Sequence, residues 1–401
     1  MKTVKNNSVV AIYLTFSGLF SFALSFFFAT YVPFLVEKGM NLWQVNVINS
    51  FFMLFIILAE MPTGSFADRF GRHHSITISC FLLVLSFLIY YFSNSFWLFV
   101  LAEIIGAIGH TFVSGAAEAW LVDSLKARDE FHLKAKVFRQ ELTSKSIGVM
   151  TGCVFGSWLG DIDLSLPWLT TAFFMFVAGL FSFIFIKENY IKSEGKTKSS
   201  LKKEVVEACR SLKNKELLYV MSFCAVIACS VQAMNMQWPL VFKNSFNFTS
   251  SYLGYLFVFI SIAVALGGRL SKKFKKLFKN EKLALIIPQL VTAIAIIITS
   301  RVNGLFMVTS AFLLHEFGRG MFAPVKQDYM NNRIESKNRA TVLSLESMFT
   351  KLGAFVGLII SGFMASSLGI NGTWFFSGMF LLVGIIIFFI IIKKPDTKKT
   401  P

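Results

Sequence analysis

The chain is poor in charge. Of its 401 residues, 15% are Asp, Glu, Lys or Arg, where a soluble domain carries roughly 25%. Hydrophobic residues make up 55%, and Phe alone occurs 47 times. Apolar stretches of about 20 residues alternate with short charged ones, which is the pattern of repeated bilayer crossing and excludes an ordinary soluble domain. Acidic charge is scarcest: 22 Asp and Glu stand against 39 Lys and Arg, giving a formal charge of +17. The basic residues fall in the gaps between apolar runs, mostly in every second gap. The excess therefore reports membrane topology and not a polyanion-binding patch, and no nucleic-acid partner is expected.

Cysteine is also sparse. Cys80, Cys153, Cys209, Cys224 and Cys229 lack metal-ligand spacing and lie mostly in apolar segments. They read as small buried hydrophobes, so neither a disulfide frame nor a metal site is expected. The sequence contains no G-x-S-x-G, H-E-x-x-H or P-loop. Without them there is no sign of the corresponding hydrolases, of ATP-driven transport within this chain, or of a cofactor.

The apolar runs predict an all-α membrane protein of twelve transmembrane helices. The first six fall at roughly 9–36, 42–66, 75–93, 97–124, 138–160 and 165–187. A second six fall at roughly 217–242, 251–270, 282–300, 303–327, 340–367 and 372–393. The first run, from Val9 to about Leu35, is too long for a signal-peptide core and reads as a helix. Lys and Arg cluster at the N-terminus, at Arg69 and Arg72, at 126–139, 192–215, 269–282 and 333–339, and at the C-terminus. The opposite loops hold Lys38, Lys243 and Arg301. Both termini are thus expected on the cytoplasmic side of the inner membrane. Residues 1–190 and 217–401 should form two six-helix bundles. Between them, 191–216 is a hydrophilic linker whose Leu201, Val205, Ala208 and Leu212 recur at amphipathic-helix spacing.

The gap between the second and third helices reads Gly64-Ser65-Phe66-Ala67-Asp68-Arg69-Phe70-Gly71-Arg72-His73. Gly64 and Gly71 suit close approach and a tight turn. Asp68 offers an acceptor at a helix end, and Arg69 and Arg72 offer donors whose bonds can be made in one conformation and lost in another. This segment closely resembles the G-x-x-x-D-R-x-G-R-[RK] signature of the major facilitator superfamily, with His73 in the last, basic position. Gly267-Gly268-Arg269-Leu270-Ser271-Lys272-Lys273 resembles its degenerate second copy in a six-plus-six repeat. The resemblance implies a secondary transporter working by alternating access, with the motif latching the two halves on the cytoplasmic side when the protein opens outward. Glu60 to Gly64, Ser114 to Asp123 and Arg339 to Met348 look like drug:proton antiporters of bacterial efflux type. The Arg usual before the Gly pair of the fourth helix is replaced by Ala102 and Glu103. Gly148, Gly152, Gly156 and Gly160 form a small-residue face on the fifth helix, suited to close packing.

Ionisable groups in hydrocarbon disfavour insertion by roughly 2.5–3.5 kcal/mol each, so those far from helix ends need a reason. Glu118 and Glu316 are the leading proton-coupling candidates, followed by Glu103, with His315 and Arg319 beside Glu316. Glu316 and Arg319 share a helix face and can instead neutralise one another. Gln232, Asn235, Gln237 and Trp238 on the seventh helix are candidate contacts for a partly polar, aromatic or cationic small molecule. The function expected is proton-coupled efflux of drugs or other amphipathic molecules by a monomer. The alternative is a transporter dedicated to one metabolite, such as a siderophore, sugar or amino-acid derivative, in either direction.

Overall fold

The computed structural model describes residues 8–188, 214–278, 280–334 and 339–393. Among these there is no β-strand, and thirteen helices account for twelve crossings. In chain order they are α1 (Ser8–Ser25), α2 (Tyr31–Glu37), α3 (Leu42–Phe70), α4 (Arg72–Phe92), α5 (Phe96–Val113) and α6 (Ala116–Lys126). After a 3-10 turn at Phe131–Leu133 come α7 (Lys134–Ile162), α8 (Leu166–Phe185), α9 (Lys215–Phe246), α10 (Ser250–Leu277), α11 (Glu281–Thr299), α12 (Leu305–Asn331) and α13 (Arg339–Lys393).

Two predicted helices are broken. The first crossing is α1 followed by α2, interrupted by turns over residues 26–30. Pro33 supplies the cause: it has no N–H for the carbonyl of Ala29, and its ring crowds that carbonyl. The fourth crossing is α5 followed by α6, broken at Ser114 and Gly115, where Gly115 has φ +74°. The opposite happens late in the chain. The 55 residues of α13 would measure about 80 Å, far beyond a hydrocarbon core of about 30 Å. Gly369, at φ 67° and ψ 177°, divides them into the eleventh and twelfth crossings.

Outward faces are apolar. Phe173, Phe183 and Phe363 are each 60% or more exposed, an arrangement suited to lipid and rare on soluble surfaces. By length and composition α3, α4, α5 with α6, α8, α9, α10, α11 and the two parts of α13 are apolar enough to cross a membrane. α1 is apolar but shorter, and α7 and α12 are not among them; α7 carries Glu141 and Lys145, and α12 carries His315, Glu316 and Arg319.

Close backbone packing builds each half. Gly148 lies against Gly18 and Phe22, Gly152 against Phe22, and Gly156 against Phe26, so a Cβ at these positions would strike backbone atoms of α1 or of the turn after it. In the second half, Gly353 and Gly357 of α13 pack in the same way on Ala225 and Cys229 of α9. The first and fifth crossings thus pair as the seventh and eleventh do, as an internal repeat requires. Contacts divide the chain into two compact units: Met1–Glu194 with Pro239–Val258, and Gly195–Trp238 with Phe259–Pro401. Within the first unit, the Ser250 hydroxyl donates to the carbonyl of Gly160 at 3.2 Å. The amphipathic spacing from Leu201 to Leu212 lies outside the described residues.

Candidate functional site

Polar side chains gather in four places: the α3–α4 turn, an ionic cluster where α9 to α12 start and end, the interior of the first half, and the interior of the second half.

At the turn, α3 ends at Phe70 and α4 begins at Arg72, with Gly71 alone between them. Gly71 has φ +110°, a conformation that favours glycine, and its N–H donates to the carbonyl of Ala67 at 3.1 Å. The side chain of Glu188 fills the space beside it. Arg72 forms an ion pair with Asp123 at the end of α6, and its backbone N–H donates to Glu188 Oε1 at 2.5 Å. His73 Nδ1 stands 3.7 Å from the same oxygen. Gly64 differs from expectation: it sits inside α3 with open space where a Cβ would project, so the turn and the close approach belong to Gly71. Asp68 and Arg69 are exposed, the Arg69 guanidinium lying over the Phe70 ring at 5.1 Å. Glu188 was missed by sequence reasoning; its signal is a lone acid at the basic end of the sixth crossing.

The resembling second segment forms no turn. α10 continues through Arg269, Lys272 and Lys273, all exposed, to Leu277. The ionic cluster of this half lies further on. Arg333 donates to Glu216 through Nε at 3.1 Å and to Glu281 through Nη1 at 2.9 Å, and Tyr329 also donates to Glu216. Lys275 adds an ion pair to Glu281 at 3.5 Å. The starts of α9 and α11 are tied in this way to the ends of α10 and α12.

In the first half Glu103 on α5 is 7% exposed. Its Oε1 accepts from Tyr31 at 2.7 Å and from Tyr90 at 2.5 Å, from α2 and α4 respectively. Trp168 stacks on Tyr90 with centroids 4.0 Å apart, and on Phe27 at 4.4 Å. The broken first crossing is what aims Tyr31 here. Among the described residues no Lys, Arg or His forms an ion pair with Glu103, so its bonds come from neutral donors. Glu118 is not part of this group; it is exposed in the first turn of α6. Sequence reasoning also passed over Glu141 of α7, which is 3% exposed and paired with Lys145 one turn on at 2.5 Å. An acid and a base four apart, just before the small-residue face of the fifth crossing, could have marked it.

In the second half Arg319 Nη1 lies 3.0 Å from both oxygens of Glu316 and donates to Asn235 Oδ1 at 2.7 Å. Asn235 Nδ2 in turn donates to Gln232 Oε1 at 3.4 Å. His315 is fully buried, its Nδ1 3.5 Å from Glu316, and its ring stacks near Phe312, which neighbours Trp238 at 5.9 Å. Five of the predicted residues, Glu316, Arg319, His315, Asn235 and Gln232, therefore meet, with Trp238 beside them. Gln237 does not join them. At 100° per residue it lies about 200° around α9 from Asn235, and it is fully buried without a side-chain hydrogen bond to the described residues.

The comparisons with known proteins agree with this architecture. The model of the Major Facilitator Superfamily matches residues 14–300 and 276–401. The uncharacterized MFS-type transporter YxaM of Bacillus subtilis (strain 168) is 24% identical over 393 residues, covering 96% of this chain and 97% of that one. The class B tetracycline resistance protein of Escherichia coli is 21% identical over 366 residues, 86% of each chain. The crystal structure of nucleoside transporter NupG superimposes with a TM-score of 0.81 at 13% identity, covering 96% of this chain and all of that one. The helical repeat, the α3–α4 turn and these matches together make the chain a member of the Major Facilitator Superfamily, a multi-pass membrane transporter and not an enzyme.

Proposed function

We propose that the protein exports drugs or other amphipathic small molecules in exchange for protons. In this reading it works as a monomer in the inner membrane, by alternating access between bundles 1–190 and 217–401, with both termini in the cytoplasm. The observation that carries the proton coupling is Glu103. Its carboxyl lies buried within a helix and accepts from two phenols, and no Lys, Arg or His forms an ion pair with it among the described residues, so a proton can bind and leave there without an ion pair being broken. Glu316 is less suited to carry the proton alone, because Arg319 already neutralises it. The export direction is supported by relatives named for tetracycline and multidrug resistance. Orientation rests on the Lys and Arg bias of the loops.

The test uses purified protein in liposomes with an imposed pH gradient and an internal pH dye. Tetracycline and other amphipathic drugs should each trigger proton movement opposite to their own. A dedicated polar-metabolite transporter is the second reading, favoured by the Arg319, Asn235 and Gln232 network. Proton movement with a single metabolite and with no drug would establish it in place of the first.

A further inference from the structure

The guanidinium of Arg319 is only half used. One Nη1 hydrogen goes to Asn235 and the other to Glu316, and no further hydrogen bond from this side chain reaches the described residues. Arginine carries five N–H donors in a rigid plane, so the Nε–Nη2 edge retains three. That edge is the one that matches two coplanar oxygens with parallel hydrogen bonds. The side chain is 34% accessible, close to the middle of α12. The exposed apolar residues Met307 and Leu314 lie about 120° and 140° around the helix from Arg319, so this group points away from them.

The neighbours hold the plane of this group and exclude an opposite preference. Asn235 is itself bonded to Gln232, which fixes the oxygen that Arg319 meets. Glu316 is 5% exposed with both oxygens on Nη1, so no open carboxylate is presented to a cation here. Phe312 and Trp238 pair with centroids 5.9 Å apart, and Phe312 also neighbours His315.

We propose that Arg319 is the recognition group for a carboxylate on the transported molecule, so that the cargo is an amphipathic organic anion. This rests on the transporter reading above and names the substrate class of its second-half site. Lysine would keep the charge but lose the planar two-point match, which makes Arg319→Lys the informative substitution.

The probes are two xanthene dyes of similar size and opposite charge, the carboxylate fluorescein and the cation rhodamine 6G. Binding is read by anisotropy with the purified full-length chain, and movement is read in proteoliposomes under a pH gradient. Fluorescein should bind saturably, and Arg319→Lys should weaken it at least tenfold. Glu316→Gln, which removes a negative charge beside the fork, should tighten fluorescein binding and gives a second check if Arg319→Lys folds poorly. Saturable rhodamine 6G without fluorescein would overturn the anion assignment and leave drug export standing. Fluorescein binding unchanged in Arg319→Lys, or not tightened in a well-folded Glu316→Gln, would overturn it as well. If neither dye binds or moves, the assignment falls together with the amphipathic-export reading.

Discussion

Glu188 accepts the backbone N–H of Arg72 at 2.5 Å, and its carboxylate occupies the space where Gly71 would carry a Cβ. The end of the sixth crossing is thereby fastened to the turn between the second and third. A glycine is needed there twice over, for its φ of +110° and for the room it leaves.

Gly71→Ala should accordingly destabilise the protein by roughly 1–3 kcal/mol from backbone strain, with displacement of Glu188 in addition. The melting temperature in detergent is expected to drop by a few degrees or more. Gly64→Ala is the control: its helical position is open, and Ala favours helix by roughly 0.5–1 kcal/mol over Gly, so its melting temperature should stay level or rise. Equal losses in the two variants would mean that the turn does not depend on Gly71.

Arg72 also pairs with Asp123, joining the start of α4 to the end of α6. Removing either charge takes from the other, which is partly buried, its partner in this ion pair. Arg72→Asp and Asp123→Arg, made singly, should each cut transport about tenfold or more at normal membrane levels. The double exchange should recover a large part of it, as coupled pairs do. Recovery no better than the worse single variant would show that the residues act separately.

Much of this was legible in the sequence because lipid imposes one rule on every crossing: enough apolar residues to span the core. The twelve predicted helices correspond to observed crossings for that reason. Breaks were not legible from hydropathy, which runs without change through Phe26–Thr30 and Ser114–Gly115; Pro33 and Gly115 were their only signals. Helix periodicity placed Gln232, Asn235 and Trp238 together, and the same rule sets Gln237 on another face, so four neighbouring polar residues did not make one site. Glu188 and Tyr90 were hidden for another reason. Each acquires its role through a partner on a distant segment, Gly71 with Arg72 for one and Glu103 for the other, and no local pattern announces such a partner.

Asp68 is exposed in this conformation, at the last turn of α3. A group that stabilises the fold by its bonds here would not sit open to solvent. Its expected contribution is to another state of the transport cycle, where a carboxylate beside a helix end can take charge-assisted bonds. Asp68→Asn should therefore insert, express and melt close to wild type while losing most transport. Wild-type transport by a well-expressed Asp68→Asn protein would remove the latch from the mechanism.

The two buried carboxylates can be separated by the pH dependence of transport. Glu103 is held by Tyr31 and Tyr90, both neutral, whereas Glu316 is held by Arg319. Amide substitution keeps an acceptor for the neighbouring donors but carries no exchangeable charge. If Glu103 carries the coupled proton, Glu103→Gln should abolish substrate-driven proton movement and flatten the rate from pH 6 to 8, with substrate binding retained. Glu316→Gln leaves Arg319 without its counter-charge, so its main expected effect is on substrate affinity, and a pH-dependent rate should remain. Tyr90→Phe removes one of the two donors and should lie between wild type and Glu103→Gln in proton movement per substrate. A flat profile in Glu316→Gln with an unchanged one in Glu103→Gln would move the coupling site to the second half, with Arg319 releasing Glu316 during the cycle.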